Sequence, residues 1–484
     1  MGVLSELKPE KVFTFFEEIA QIPHGSGNVE AISDYLADFA RKRELQCIQD
    51  EIKNIIIIKE ATAGYEQEPA LILQGHMDMV AVHKPELEID MTREPLKLAV
   101  EGDRIYAEGT SLGGDDGIAV AYALALLDDD TLQHPRLEVV ITVDEEVGMD
   151  GARAIDLSML QGHRLLNLDS EEEGIFLTSC AGGARIHCSV DLSGQCRDMT
   201  GVAYELTVGG LQGGHSGAEI HKERGNSNML MARLLQKLSG SVRAGLCDCE
   251  GGLADNAIPR VTGARILVDR EDEERLKQLV AEYTAALKQE LATKDPEVSV
   301  TAVARGDATE SCLAGSDLQR AADYLYSLPC GVQAMSADVP GLVETSLNLG
   351  ILKIHGGKVE AEFSVRSCVD SSKQALLDKV QALTALAGGR CEITGDYPGW
   401  AYRVDSPLRD KMVALYEEMY GEKPRVEAIH AGLECGILAS KIADLDGISF
   451  GPNMYDIHTT EETLSISSTQ RVWDYLVRLL ALKD

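Results

Sequence analysis

Apolar residues recur at helical spacing through PEKVFTFFEEIAQIP, residues 9–23, with one proline at its start and another as a stop, and the pattern predicts a helix. NVEAISDYLADFARKR predicts a second amphipathic helix. Two short apolar runs follow, NIIIIKE and ALILQG. Four adjacent isoleucines leave no polar face, which suits a strand covered on both sides. SLGGDDGIAVAYALALL reads as a glycine turn opening a strongly apolar helix, and RLEVVITV and RLLNLD read as further strands. This alternation predicts an α/β layer with a mostly parallel central sheet, in which functional groups gather beyond the carboxyl ends of the strands.

From about residue 185 the texture changes. ARIHCSVDL and VAYELTVGG alternate like half-buried strands, and LNLGILKIHGGKVEAEFSVRS predicts a hairpin turning at His355, Gly356 and Gly357. Helical spacing returns in SNMLMARLLQKL, from Glu271 to Leu291, and in SKQALLDKVQALTALAG. An antiparallel sheet with two amphipathic helices on one side predicts an α+β insertion that ends near YPGWAY. The tail from about Ser406 is again apolar and helical. Residues 1–184 and 400–484 are therefore expected to form one domain, interrupted by a second spanning 185–399.

The 484 residues exceed one ordinary core, and 44% hydrophobic with 26% charged residues describes a folded chain. A formal charge of −34 argues against a nucleic-acid groove or an anionic membrane surface as partner. No apolar run approaches the roughly 20 residues that cross a bilayer, and the first residues lack the pattern of a signal peptide. The eleven cysteines are scattered, which predicts reduced core thiols and a cytoplasmic protein. Cys247 and Cys249 alternate as strand residues do, without a second pair at zinc-ribbon spacing.

Five short stretches place polar groups at strand ends or turns: QGHMDMV with His76 and Asp78, GGDDG with Asp115 and Asp116, DEEVG with Glu145 and Glu146, LNLDSEE with Asp169, and YDIHTT with His458. Each alone has a plain alternative, such as a surface turn, an acidic helix start favoured by the dipole, or a solvated acidic loop. The apolar strands that deliver DEE and Asp169 weigh against solvated loops. Two histidines and three carboxylates suffice for two zinc ions sharing a carboxylate, and an additional glutamate could act as general base on a water held between them. Asp78, two residues after His76, would face the same side of an extended strand and fix the imidazole tautomer.

The order HMD, GGDDG, DEEVG, LDSEE, GGHSG and a late histidine resembles the M20 family of dinuclear zinc peptidases, and IPHGSGN, DNAIPR and HAGLECG extend the likeness over nearly the whole chain. The resemblance implies a catalytic zinc domain interrupted by a lid and dimerisation domain. It also implies two zinc ions per subunit, replaceable by cobalt or manganese. Asp115 would bridge them, with His76 and Asp169 completing one site and Glu146 and His458 the other. Asp78 would orient His76, and Glu145 would be the general base. An aspartate at position 169 goes with aminopeptidase or dipeptidase action in the family.

The likeness further implies a homodimer through the lid, with His215 polarising the scissile carbonyl across it and Asn256, Arg366 and Gly432 holding the substrate. An arginine fork suits a free carboxylate. His24, His83 and His221 are expected to cap or solvate, and His430 to line the pocket. The implied reaction is hydrolysis of unblocked dipeptides, including Xaa-His types such as β-alanyl-histidine. Deacylation of N-acyl amino acids and peptide binding without catalysis are the alternatives.

Overall fold

The computed structural model describes residues 2–483, and the chain divides into two compact units. One comprises Met1–Ser179, Tyr402–Ala428 and Leu433–Asp484; the other comprises Cys180–Ala401 and Ile429–Gly432.

The first unit is built on an eight-stranded sheet. Its centre is parallel, as the alternation of elements predicts: Leu71–His76 runs beside Leu137–Thr142 on one edge and Arg164–Asn167 on the other, and Asp446–Ser449 continues beside the last. The flanks are antiparallel, with Ile55–Lys59 against Leu137–Thr142 and Gln46–Gln49 against Ile55–Lys59. The short link between Gln49 and Ile55 explains the second pairing, because a parallel neighbour would need a crossover of a dozen residues or more. All of Ile55–Lys59 is buried, and each of its isoleucines contributes about 2 kcal/mol of apolar burial.

The apolar helix Gly114–Leu127 is buried along its entire length, and Tyr122 within it closes its hydroxyl on the Thr469 carbonyl at 2.9 Å. The start of this helix lies against Gly75. A Cβ at position 75 would fall 2.4 Å from Asp116 Oδ2 and 2.7 Å from Ala119 Cβ, so the absence of a side chain lets the acidic helix start touch the strand end. The tail contributes Pro407–Tyr420, whose two ends are set by local residues. Ser406 accepts from Arg409 N, Pro407 opens the helix, and Gly421 closes it at φ 78°.

The second unit is a nine-stranded sheet whose pairings are antiparallel. The predicted hairpin is present as Val343–His355 and Lys358–Ser367 around Gly356 and Gly357. Helices Ser227–Ser239, Glu273–Glu290 and Asp370–Leu386 match apolar spacing in the sequence. A further helix, Ser316–Ser327, has no counterpart among the three expected helical segments; it buries Leu318, Ala321, Ala322, Tyr324 and Leu325 and packs on Ser227–Ser239. Its apolar face is made partly of alanines, which carry little signal in a sequence pattern but fit closely between elements.

Candidate metal centre

Three strands of the parallel centre end together, with His76 opposite Thr142 and Gln74 opposite Asn167. The chain leaves each strand into one of the polar stretches, so residues distant in sequence are delivered to one edge of one sheet.

Asp115 is the middle of the cluster. Its Oδ1 lies 3.1 Å from His76 Nε2 and its Oδ2 lies 3.0 Å from His458 Nε2. On the first side Asp169 Oδ1 stands 3.5 Å from His76 Nε2; on the second, Glu146 Oε1 stands 2.9 Å from His458 Nε2. One carboxylate therefore separates two matching pairs, each an imidazole and an acid. Donor atoms of His76 also lie within 4.8 Å of those of Glu145 and Glu146, and Asp116 joins His76 and Asp169 at the same spacing.

The acids of DEEVG separate in role. Asp144 accepts from Gly27 N at 2.6 Å and turns away from the imidazoles, with its backbone in the left-handed region at φ 54°. Glu145 and Glu146 remain, and their backbone amides both point to the Asp78 carboxylate, at 3.1 and 3.4 Å. This alters the expected role of Asp78. The strand ends at His76, and His76 Nδ1 donates to the Asp78 backbone carbonyl at 2.9 Å while the carboxylate oxygen is 3.5 Å away. Asp78 thus orients His76 chiefly through its main chain, and its side chain, steadied by Ser26 Oγ at 2.8 Å, fixes the turn that carries Glu145.

Electrostatics follow from burial. Desolvation pushes Glu145 up to about 8 and Asp169 up to about 8, with neighbouring acids adding to both. Hydrogen bonds to Asp115 and Glu146 hold His458 at about 10. Burial would also raise Asp115, but the His458 and His76 contacts hold it below the carboxylate range. A divalent cation at this cluster would satisfy the same carboxylate charges.

The donors are imidazole nitrogens and carboxylate oxygens gathered in groups within 4.8 Å of one another, a set suited to zinc, cobalt or manganese. The residues fit a metal pair.

Supporting residues to which sequence reading gave no role of their own surround the centre. Glu434, in HAGLECG, is fully buried and accepts from Gln74 Nε2 at 2.5 Å and Thr142 Oγ1 at 2.6 Å, while Asn167 Nδ2 donates to Gln74 Oε1 at 2.6 Å. It ties the three strand ends together. Asp116 is equally buried, accepts from His76 N at 3.3 Å, and is pushed well above the usual carboxylate range by burial and then by Asp169.

Glu462 accepts the amides of Leu112, Gly113 and Gly114 at 2.8, 3.2 and 2.8 Å, holding the loop ahead of Asp115. Glu462→Ala is expected to lower stability by about 3 kcal/mol, since buried amides lose their acceptor, and to weaken metal affinity roughly 10-fold or more by loosening that loop. Urea unfolding and metal titration read the two effects separately. A Glu462→Gln variant that behaved as badly in both would argue that charge, and not an oxygen acceptor, is what the loop needs.

The remaining predicted residues lie in the second unit, where His215 Nδ1 accepts from the amides of Gly217 and Ala218 at 3.2 and 3.0 Å. The neutral ring therefore carries its proton on Nε2. A Cβ on Gly217 would meet the His430 carbonyl, His215 Cε1 and Arg366 Nε at 2.7, 3.0 and 3.2 Å, so these three residues surround the turn at Gly217. Arg366 Nε is buried and unpartnered, and Asn256 joins the same turn by accepting from Ser216 N at 2.8 Å. Gly432 is packed by the Tyr397 ring instead. His430 is buried, with Nε2 2.7 Å from Ser346 Oγ. His83 and His221 are exposed as expected, whereas His24 is buried and its Nδ1 meets the Ile22 carbonyl at 2.5 Å.

Residues 72–482 match the model of peptidase family M20/M25/M40. The chain belongs to that family. An M20 relative, cytosol non-specific dipeptidase of Escherichia coli (strain K12), is 36% identical over 480 residues, covering 99% of both chains. The crystal structure of aminoacylhistidine dipeptidase from Vibrio alginolyticus superposes with a TM-score of 0.94 at 35% identity, covering 100% of this chain and 98% of that one. Aminopeptidase PepT from Bacillus cereus shares the fold, with a TM-score of 0.57 at 15% identity and 98% of each chain covered. This M20 peptidase is thus a mixed α/β hydrolase, and the family expected from HMD, GGDDG and DEEVG is the one found. Among the described residues, no helix is long and apolar enough to cross a membrane.

Proposed function

We propose that this chain is a metal-dependent dipeptidase that cleaves the single peptide bond of unblocked dipeptides, Xaa-His among them. The observation that carries the reading is Asp115 standing between His76 with Asp169 and His458 with Glu146. The full-length likeness to the E. coli and Vibrio dipeptidases supports the substrate class.

In this reading His76, Asp115 and Asp169 would hold one zinc ion and Asp115, Glu146 and His458 would hold the other. Bound there, the pair would supply an electrophile for the scissile carbonyl and acidify the attacking water. Glu145 takes the proton of that water and returns it to the leaving amine. Burial suits Glu145 to both halves of the task, because desolvation raises its carboxyl above the ordinary glutamate range and so favours holding a proton between the two transfers. Asp78 keeps the amides of Glu145 and Glu146 in place.

In the second unit, Arg366 is assigned to the free carboxylate of the dipeptide and His215 Nε2 to the carbonyl oxygen, with Asn256 and Gly432 shaping the substrate's seat. The unit is assigned the part of lid and homodimer surface, and the protein a cytoplasmic location. Sedimentation of the full chain as a monomer would remove the dimer from this account.

The test is a dipeptide panel that includes β-alanyl-histidine and N-acetylated counterparts, assayed after chelation and after return of zinc, cobalt or manganese singly. Activity should vanish with chelator and return with metal on free dipeptides. Faster turnover of the acetylated compounds would turn the reading to deacylation, and intact dipeptide with every metal would end it.

A further inference from the structure

The second unit contains a pair of thiols that the peptidase reading does not use. Strands Gly182–Asp191 and Arg390–Tyr397 run antiparallel with Cys188 directly opposite Cys391, and their sulfurs lie 3.1 Å apart. Directly opposed residues of an antiparallel pair hold their Cα atoms about 4.5–5.5 Å apart, inside the range a disulfide spans, so a bond would require little movement of the backbone. Arg390–Tyr397 ends the order of its sheet. Cys188 is buried, while Cys391 is partly exposed on that outer strand, so an oxidant meets Cys391 first.

From this geometry we infer that Cys188 and Cys391 are a reversible oxidation site, joined as a disulfide by peroxide and reopened by thiols. The inference stands apart from the dipeptidase reading. The Cys391 thiolate attacks one peroxide oxygen, forming a sulfenic acid and releasing hydroxide. Cys188 sulfur then displaces the sulfenic oxygen as water. In sum two thiols lose two electrons and two protons, and one hydrogen peroxide becomes two waters.

The contact between the two sulfurs lets either thiol steady a thiolate on the other, and access selects Cys391 as the one that attacks. Cys247 and Cys312 also meet between neighbouring strands, but both are buried and lack the access Cys391 has. The bond would join residues 203 positions apart and fasten the outer strand to its sheet.

The experiment treats the full-length protein with hydrogen peroxide, alkylates the remaining thiols, and maps peptides without reduction. Two of the eleven cysteines should become protected, in a single cross-linked peptide joining Cys188 and Cys391, with a mass lower by two hydrogens and full reversal by dithiothreitol. Cys188→Ala should leave Cys391 as a sulfenic acid that dimedone traps, and Cys391→Ser should form no link while its reduced kcat/KM stays within about twofold of the parent, since neither cysteine is among the residues assigned to metal or substrate. The oxidised parent should melt above the reduced parent, and Cys391→Ser should show no such rise. The inference falls if Cys188 and Cys391 both stay alkylatable while other cysteines oxidise, or if the first link joins Cys247 to Cys312.

Discussion

Glu145→Gln should lower kcat by about 10³-fold while leaving KM within a few-fold and metal content unchanged, the loss expected when a positioned general base is removed. The substitution is nearly isosteric and keeps the backbone amide that donates to Asp78 at 3.1 Å, so the turn should hold its shape. Glutamine has no basic oxygen to take the proton of the attacking water, and it cannot return one to the leaving amine. Glu145 belongs to none of the pairs that face Asp115, which is why metal content should survive its loss. Steady-state kinetics with metal analysis on the same sample decides the matter. Parent-like kcat would remove Glu145 from its role, and loss of metal would make it a ligand.

Asp115→Ala should be the more damaging change, because it removes the one group that both halves of the centre share. His76 and His458 would lose their partner at 3.1 and 3.0 Å, leaving each with a single acid, Asp169 or Glu146. Both metal equivalents should be lost at concentrations that saturate the parent. Activity should fall by about 10³-fold or more, since positioning and electrophilic activation go together. The fold should remain, because Asp115 serves chemistry and the helix behind it is held by its apolar length. Isothermal titration with zinc and unfolding by urea distinguish the outcomes. One metal retained at parent affinity would show that Asp115 belongs to one site only.

Much of this architecture is legible in the chain because the signals are local. Isoleucines at 55–58, the alternation in 182–191 and the caps at Ser406, Pro407 and Gly421 each report a periodicity or a steric preference that neighbours in sequence impose on one another. Where the reading missed, the reason is also physical. The helix Ser316–Ser327 has small apolar residues that signal weakly, and the antiparallel edge of the first sheet depends on which strands adjoin. Asp78 was expected to act through its carboxylate on an extended strand, but the strand stops two residues earlier and the carboxylate turns to the Glu145 and Glu146 amides. Glu434 lies in a quoted motif yet gave no sign of its task, because Gln74, Thr142 and Asn167, which define that task, come from three other segments.

By itself, then, the sequence determined most of the elements that form, that acids and histidines follow the central strands, and which family of peptidases the chain belongs to. These are properties of residue type and spacing along one line. Only the tertiary structure decided that each oxygen of Asp115 faces a different imidazole, that Asp144 turns away from its two acidic neighbours, and that Cys188 meets Cys391. Such relations depend on the register and direction of strands far apart in the chain, where a shift of one residue would point every side chain to the opposite face.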